Sequence, residues 1–309
     1  MRAVIQREFG SPQVLELAEV QTPTPLPSEV LVRVRAASIN PIDAMVRSGA
    51  FPLLGEPPFI LGWDVSGVVE HVVPGVTRFE VGDEVYGMPF FPRAAGTFAE
   101  FVAVPSRQLA RKPRNLDHAA AAALPMAGLT AWHSLVDTAH IEAGQRVLIH
   151  AGAGGVGHLA IQIAKARGAY VITTASAAKH DFVRELGAHE AIDYRTQDFA
   201  AKTRALDVVL DTAGGYGDAS IATLKPNGLF VTIVERTDAA LKARAEAAGR
   251  RFAGITVEPD HVGLEHLAAL AEAGSLRPHV QQTVPFEHAA EAHALIESGR
   301  TEGKIVLTL

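Results

Sequence analysis

The chain has 309 residues, 48% of them hydrophobic, which is enough apolar material to bury a core in each of about two domains. Its 28 basic against 34 acidic residues leave a net charge of −6 with no block of lysine or arginine, which argues against nucleic acid and anionic membranes as partners. The absence of cysteine removes disulfides, thiolate nucleophiles and every cysteine-based zinc site.

No long apolar core follows Arg2, and the longest apolar run, Ala119 to Leu129, is short and carries Pro125, so the expectation is a cytoplasmic protein with neither export signal nor membrane segment. From Met1 to about Arg114 the pattern is β-rich: RAVIQ, VLELAEV, EVLVRVRAAS, VSGVVEHVV, GDEVYGM and TFAEFVAVP are runs of strand length between Pro and Gly turn signals. Within this region Asn40-Pro41 opens a turn, and Ile42 to Arg47 is read as one short helix. Around Asp117, a plausible N-cap, the chain becomes alanine-rich and helical. The domain boundary is placed there, giving a β-rich domain over 1–118 and a second domain over 119–276. In the second domain VLIHA, YVITTA, DVVLDTAGG and LFVTIV alternate with helical stretches, which predicts an α/β, doubly wound parallel sheet. The last segment, 277–309, breaks the alternation with HVQQTV, one helix and KIVLTL, and is expected to complete the first domain.

The most informative stretch is VLIHAGAGGVGHLAIQIAKA, which reads as strand, glycine turn and amphipathic helix. Gly152, Gly154 and Gly157 have G-x-G-x-x-G spacing: the first permits the tight turn, the second lets backbone approach a pyrophosphate, and the third lets the helix pack on its strand. The pyrophosphate would rest on the helix N-terminus, where unpaired N–H groups favour an anion. The expected dinucleotide-binding turn therefore comprises Gly152, Gly154, Gly155, Val156 and Gly157, in the Rossmann manner.

Where a dehydrogenase using NAD carries an acid for the ribose 2′-hydroxyl, no carboxylate lies between Thr173 and His180, while Ser176 and Lys179 supply a hydroxyl and a positive charge. That pattern points to NADP(H), although Lys179 as a solvated helix residue is the competing reading. Other chemistries find no support. No G-x-S-x-G nucleophile elbow is present, and none of the 13 histidines belongs to an H-E-x-x-H motif.

With LPMAGLTAWHSL and AGQRVLIH before it, the glycine turn resembles that of the medium-chain dehydrogenase/reductase superfamily, specifically its zinc-free quinone oxidoreductase (zeta-crystallin-like) branch. SINPIDAMVRSG, LGWDVSGVVE, VTRFEVGDEVYG, GTFAEFVAVP, LGAHEAIDYR, VLDTAGG and the closing GKIVLTL resemble that branch in order and spacing. The resemblance implies a GroES-like catalytic domain, a Rossmann domain, an active site in the cleft between them, and a homo-oligomer. It also implies hydride transfer from NADPH to a quinone or α,β-unsaturated carbonyl. An enoyl-thioester or 2-alkenal reductase, or an NADPH-binding protein without turnover, are the alternatives. Zinc-dependent members place a cysteine within the SINPID segment and a histidine after the glycine of LGWD; here Ser38 or Asn40 and Trp63 occupy those positions.

Carried over onto this sequence, the resemblance implies that Asn40 and Asp43 form an N-P-x-D turn, with Asn40 near the nicotinamide or substrate carbonyl. It places Thr130 near the nicotinamide end, and Ser176, Lys179 and Tyr194 around the adenosine 2′-phosphate. Phe51 stands where some members carry a tyrosine, and with Phe59 and Trp63 it is expected to line an apolar site suited to a flat conjugated substrate. Structural readings stand beside these: Asn40 as a turn cap, Asp43 as a helix cap, Tyr194 as an edge-strand aromatic, and the three aromatics as loop packing.

Overall fold

A computed structural model describes every residue from Met1 to Leu309. In chain order the first elements are strands β1 (Arg2–Gln6), β2 (Leu15–Glu19) and β3 (Glu29–Ile39), helix α1 (Pro41–Ser48), strands β4 (Phe59–Ile60), β5 (Val65–Val72), β6 (Glu84–Gly87), β7 (Phe101–Pro105) and β8 (Leu109–Arg111), and helices α2 (His118–Ala122) and α3 (Pro125–Trp132). There follow β9 (Arg146–Ile149), α4 (Gly157–Ala166), β10 (Tyr170–Ala175), α5 (His180–Leu186), β11 (Glu190–Asp193), α6 (Phe199–Lys202), β12 (Leu206–Asp211), α7 (Gly217–Thr223), β13 (Leu224–Thr232), α8 (Ala239–Ala247) and β14 (Arg251–Gly254). The chain closes with α9 (His261–Glu272), β15 (Val280–Pro285), α10 (Ala289–Glu297) and β16 (Lys304–Thr308). No helix is long and apolar enough to cross a membrane.

Two compact units result, one of Met1–Leu129, Glu258–Gly274 and Pro278–Leu309, the other of Thr130–Val257 and Ser275–Arg277. In the first, a sheet of order β15-β16-β3-β5-β6-β8, with β7 also paired to β3, stands beside a smaller β2-β1-β4 sheet. Along β3, Val30, Val32 and Val34 are buried while the residues between them are not, the period of a strand with one face on a core. The closing strand β16 pairs antiparallel with β3, Ile305 opposite Ile39.

The second unit is a six-stranded, all-parallel sheet of order β11-β10-β9-β12-β13-β14. Its direction of strand succession reverses at β9, and ligands of such sheets bind at the carboxyl ends of the strands beside that reversal. Val147, Leu148 and Ile149 of β9 are fully buried because the central strand is covered on both faces.

The unit boundaries differ from those read in the sequence. Residues 119–129 and 258–274, expected in the α/β domain, pack in the first unit. There the Tyr86 hydroxyl donates to the Leu264 carbonyl at 2.5 Å, and the Asn115 amide to the Ala271 carbonyl at 2.8 Å. Gly128 gives Leu267 room, since a Cβ at that position would lie 2.8 Å from its methyl. The alanine run serves close approach: Ala122 and Ala123 are buried against Ala36 and Val306.

Candidate functional site

At the reversal point of the parallel sheet, β9 runs directly into the glycine turn. Ala151 takes φ +50°, in the left-handed region that non-glycine residues rarely adopt. Its N–H is held by the Thr174 hydroxyl at 3.1 Å, and the Gly152 N–H by the Thr174 carbonyl at 2.9 Å.

The glycines separate into two kinds. A Cβ on Gly152 would overlap the Thr173 hydroxyl, and one on Gly157 would overlap the Ala151 carbonyl and come within 2.7 Å of the Gly152 Cα. Those two positions are closed by the protein's own packing. A Cβ on Gly154 would meet only the Ala151 carbonyl, at 3.2 Å, and would otherwise stand in open space. Apart from that one close backbone contact the position is open, as the job expected of the middle glycine requires. Gly155 and Val156 complete the turn, and α4 begins at Gly157.

Beneath the turn lies a histidine that the motif reading passed over. His150 is 1% exposed, with Nδ1 3.1 Å from the Thr174 hydroxyl, Nε2 2.9 Å from the Ser220 hydroxyl, and its ring stacked on Tyr216. Burial pushes its pKa down to about 4, so the imidazole is neutral, with a nearby Asp211 opposing the shift. The same Thr174 oxygen meets both the imidazole and the Ala151 N–H, which links the histidine to the first residue of the turn.

The far end of the expected dinucleotide site lies on neighbouring strands. β10 and β11 run parallel with Ala175 beside Asp193, so Ser176 and Tyr194 leave the sheet side by side. Lys179 closes a single 3₁₀ turn after Ser176, its N–H bonded to the Ser176 carbonyl at 2.8 Å. Tyr194 is 44% exposed, and the Arg195 guanidinium sits 5.7 Å from its ring centre, a second cation that the sequence reading did not single out. The Asp193 carboxylate, next to Tyr194, accepts from the Arg195 N–H and the Thr196 hydroxyl, and its pKa lies below the ordinary aspartate value, chiefly through the former bond. Thr130, expected at the nicotinamide end, is 6% exposed within α3.

In the first unit, α1 starts immediately after β3 and organises a buried polar cluster. Asn40, at the helix N-cap, donates from Nδ2 to Asp64 Oδ2 at 2.8 Å. Asp64 also accepts the Ser38 hydroxyl at 2.5 Å and the Met126 N–H at 2.7 Å. Lys304, brought opposite Asn40 by the β16–β3 register, donates to Asn40 Oδ1 at 2.5 Å and to the Ile39 carbonyl at 3.0 Å. Neither Asp64 nor Lys304 was among the residues singled out in the sequence, although both lie inside stretches, LGWD and GKIVLTL, that carried the resemblance.

Asp43 is fully buried, and its carboxylate accepts the Asn40 backbone N–H at 2.8 Å, the capping half of the two readings given to it. Burial pushes its pKa up to about 7, with the Asn40 N–H opposing and the neighbouring Asp64 adding to the rise. The unfolded chain ionises this group from about pH 4, whereas the folded chain keeps the proton until about pH 7. The stability it contributes is therefore whole below pH 4 and falls as pH rises to 7, by on the order of 4 kcal/mol, with no further change above. Thermal unfolding of Asp43→Asn against wild type is expected to show this downward slope flattened; an unchanged slope would assign it to other groups.

Of the three aromatics expected to line an apolar site, Trp63 is 0% exposed, donates its indole N–H to the Arg93 carbonyl at 2.6 Å and packs edge-on to Phe91. Those contacts are the loop-packing alternative. Phe59 lies in β4 with its ring 6.3 Å from that of Phe9, and Phe51 is half-buried in the turn after α1, its N–H bonded to the Met45 carbonyl.

Residues 26–114 match the alcohol dehydrogenase GroES-like domain family, and residues 186–307 match a family described as zinc-binding dehydrogenase. The chain is 37% identical to the NADPH-dependent alkenal/one oxidoreductase of Arabidopsis thaliana, named chloroplastic, over 99% of this chain and 79% of that one. It is 37% identical to the quinone oxidoreductase of Coxiella burnetii, whose structure superposes with a TM-score of 0.94 over 100% of this chain and 99% of that one. The Escherichia coli quinone oxidoreductase complexed with NADPH shares 27% identity at a TM-score of 0.89, with both chains fully covered. The chain belongs to the medium-chain dehydrogenase/reductase superfamily, within its quinone oxidoreductase branch.

Proposed function

We propose that the protein is a zinc-independent reductase that uses NADPH to reduce a quinone or an α,β-unsaturated carbonyl. The observation that carries the reading is the glycine turn at the sheet's reversal point, open at Gly154, with no carboxylate between Thr173 and His180 at the far end, where Ser176, Lys179 and Tyr194 lie. These residues fit a dinucleotide with a 2′-phosphate: the turn and the α4 N-terminus take the pyrophosphate, and the Lys179 ammonium with the Ser176 hydroxyl takes the phosphate. The relatives named for NADPH, in Arabidopsis and Escherichia coli, support the same cofactor.

Zinc does not fit. Ser38 gives its hydroxyl hydrogen to Asp64, the Trp63 indole nitrogen carries a hydrogen committed to Arg93, and no thiolate exists in the chain. The description of one matched family as zinc-binding therefore does not extend to these positions.

When bound, NADPH supplies the hydride. The chain's own residues orient cofactor and acceptor, exclude water and stabilise charge. Asn40 has one amide hydrogen on Asp64 and a second left to offer, and we assign that second N–H to the substrate oxygen on which negative charge develops. The final proton comes from water. A cytoplasmic location, unlike that named for the Arabidopsis relative, and a homo-oligomer belong to the same proposal; β14 leaves one edge of the parallel sheet without a partner strand.

NADPH oxidation against 1,4-benzoquinone, simple enones and crotonyl thioesters, with NADH as control, tests the reading. Turnover with a quinone or enone is expected, whereas preference for the thioester identifies an enoyl-thioester reductase, and tight NADPH binding without turnover identifies a non-catalytic protein. Asn40→Ala is expected to lower kcat by about 10- to 100-fold with NADPH affinity within about threefold of wild type. A large loss of NADPH binding would move Asn40 into a cofactor role.

A further inference from the structure

We propose that Lys304 is a positioning residue: its buried ammonium, together with the neighbouring Asp64 carboxylate, locks the Asn40 carboxamide in one orientation. The inference rests on the reductase reading for what Asn40 does in turnover, but not for how Asn40 is held.

Lys304 is 3% exposed and is the first residue of β16. Because Ile305 lies opposite Ile39 in an antiparallel pair, the residue before Ile305, Lys304, falls beside the residue after Ile39, which is Asn40. The lysine's hydrogen bonds go to Asn40 Oδ1 and the Ile39 carbonyl, and its ion pair to Asp64 Oδ2 spans 3.7 Å.

The orientation follows from the hydrogen-bonding inventory. An ammonium can only donate and a carboxylate can only accept, so the amide oxygen must face Lys304 and the amide nitrogen must face Asp64. A flipped amide would set N–H against N–H at Lys304 and oxygen against oxygen at Asp64. Since the carboxamide is planar, fixing its oxygen and one hydrogen also fixes the direction of the remaining N–H. That hydrogen is the one assigned to the substrate oxygen.

Stability does not account for such an arrangement. Burial lowers the Lys304 pKa below the ordinary lysine value, with Asp64 and Asp43 opposing that shift, so the ammonium is held there at a desolvation cost. An apolar pair of similar volume at a buried ion pair is often neutral or stabilising. What an apolar residue at 304 could not do is distinguish the two ends of an amide.

The test is a cycle in the full-length protein of Asn40→Ala, Lys304→Met and the double variant, with NADPH oxidation by 1,4-benzoquinone as the readout. Each single substitution is expected to lower kcat about 10- to 100-fold with KM for NADPH within about threefold, and the double variant to be no slower than Asn40→Ala alone. Multiplied losses in the double variant would mean that Lys304 acts independently of Asn40, and would overturn the proposal. Lys304→Gln, which keeps a neutral donor, is expected to fall between wild type and Lys304→Met, and it replaces Lys304→Met if that variant does not fold. A second readout needs no turnover: the Asn40 side-chain amide protons, followed by ¹⁵N NMR, are expected to lose protection from exchange in the Lys304 variant. An amide unchanged in shift and protection overturns the proposal, whereas a wild-type protein that oxidises no NADPH overturns only the reductase reading and leaves this second readout to decide.

Discussion

Alanine at Gly154 is expected to weaken NADPH binding by about tenfold or more while leaving the unfolding midpoint of the cofactor-free protein within about 2 °C of wild type. Alanine at Gly157 is expected to lower that midpoint by about 5 °C or more and to abolish measurable NADPH binding. The contrast follows from what each new methyl group meets. At Gly154 it would find a single carbonyl oxygen at 3.2 Å, which need give by only a few tenths of an ångström, and open space beyond; on the proposed reading that space is the one through which a pyrophosphate reaches the backbone N–H groups. At Gly157 it would collide with the Ala151 carbonyl and the Gly152 Cα, atoms of the turn itself, which cannot yield without displacing the start of α4. Differential scanning fluorimetry without ligand and calorimetric titration with NADPH separate the two quantities. Undiminished NADPH affinity in Gly154→Ala would remove the turn from the cofactor site.

The reason this turn could be read from sequence is that its constraints are local. Gly152, Gly154 and Gly157 answer to backbone atoms within a few residues or to the adjoining strand, so spacing and context carry the information. The polar cluster at Asn40 is the opposite case. Lys304 and Asn40 are 264 positions apart, and a lysine near the end of a chain ordinarily reads as a solvated charge. Only the antiparallel register of β16 on β3 makes it a buried partner. Helix α9 is a third kind of problem. An amphipathic helix following a strand matches a βα unit whichever surface it buries, and the contacts that draw it to the first unit, such as Tyr86 to Leu264 across 178 positions, have no local signature. Trp63 shows the limit of reading roles from composition: an aromatic beside the LGWD glycine fits a substrate-lining site as well as a core, and the Arg93 carbonyl that holds its N–H is 30 residues away.

Cofactor selectivity provides the other large effect. Lys179→Ala is expected to raise KM for NADPH by about 10- to 100-fold while changing that for NADH by less than about threefold, the loss corresponding to about 1.5–3 kcal/mol for a hydrogen bond between charged groups. The expected selectivity arises because the two cofactors differ only at the 2′ position, which on the proposed reading meets the adjacent ends of β10 and β11. Ser176 and Tyr194 emerge side by side from those strands, Lys179 lies one short turn further on, and the Asp193 carboxylate is occupied by Arg195 and Thr196 of its own loop. Because the interaction is electrostatic and close to the surface, the NADPH preference is also expected to shrink as salt is raised. Ser176→Asp carries the same logic further: a carboxylate at that position repels the phosphate and accepts from a free ribose 2′-hydroxyl, so it is expected to move preference towards NADH. Steady-state kinetics with both cofactors decide the matter, and equal losses for NADPH and NADH in Lys179→Ala would sink the assignment. Arg195, with its guanidinium 5.7 Å from the centre of the Tyr194 ring, is a rival cation, so a larger selectivity loss in Arg195→Ala than in Lys179→Ala would transfer the phosphate contact from the turn after β10 to the loop after β11.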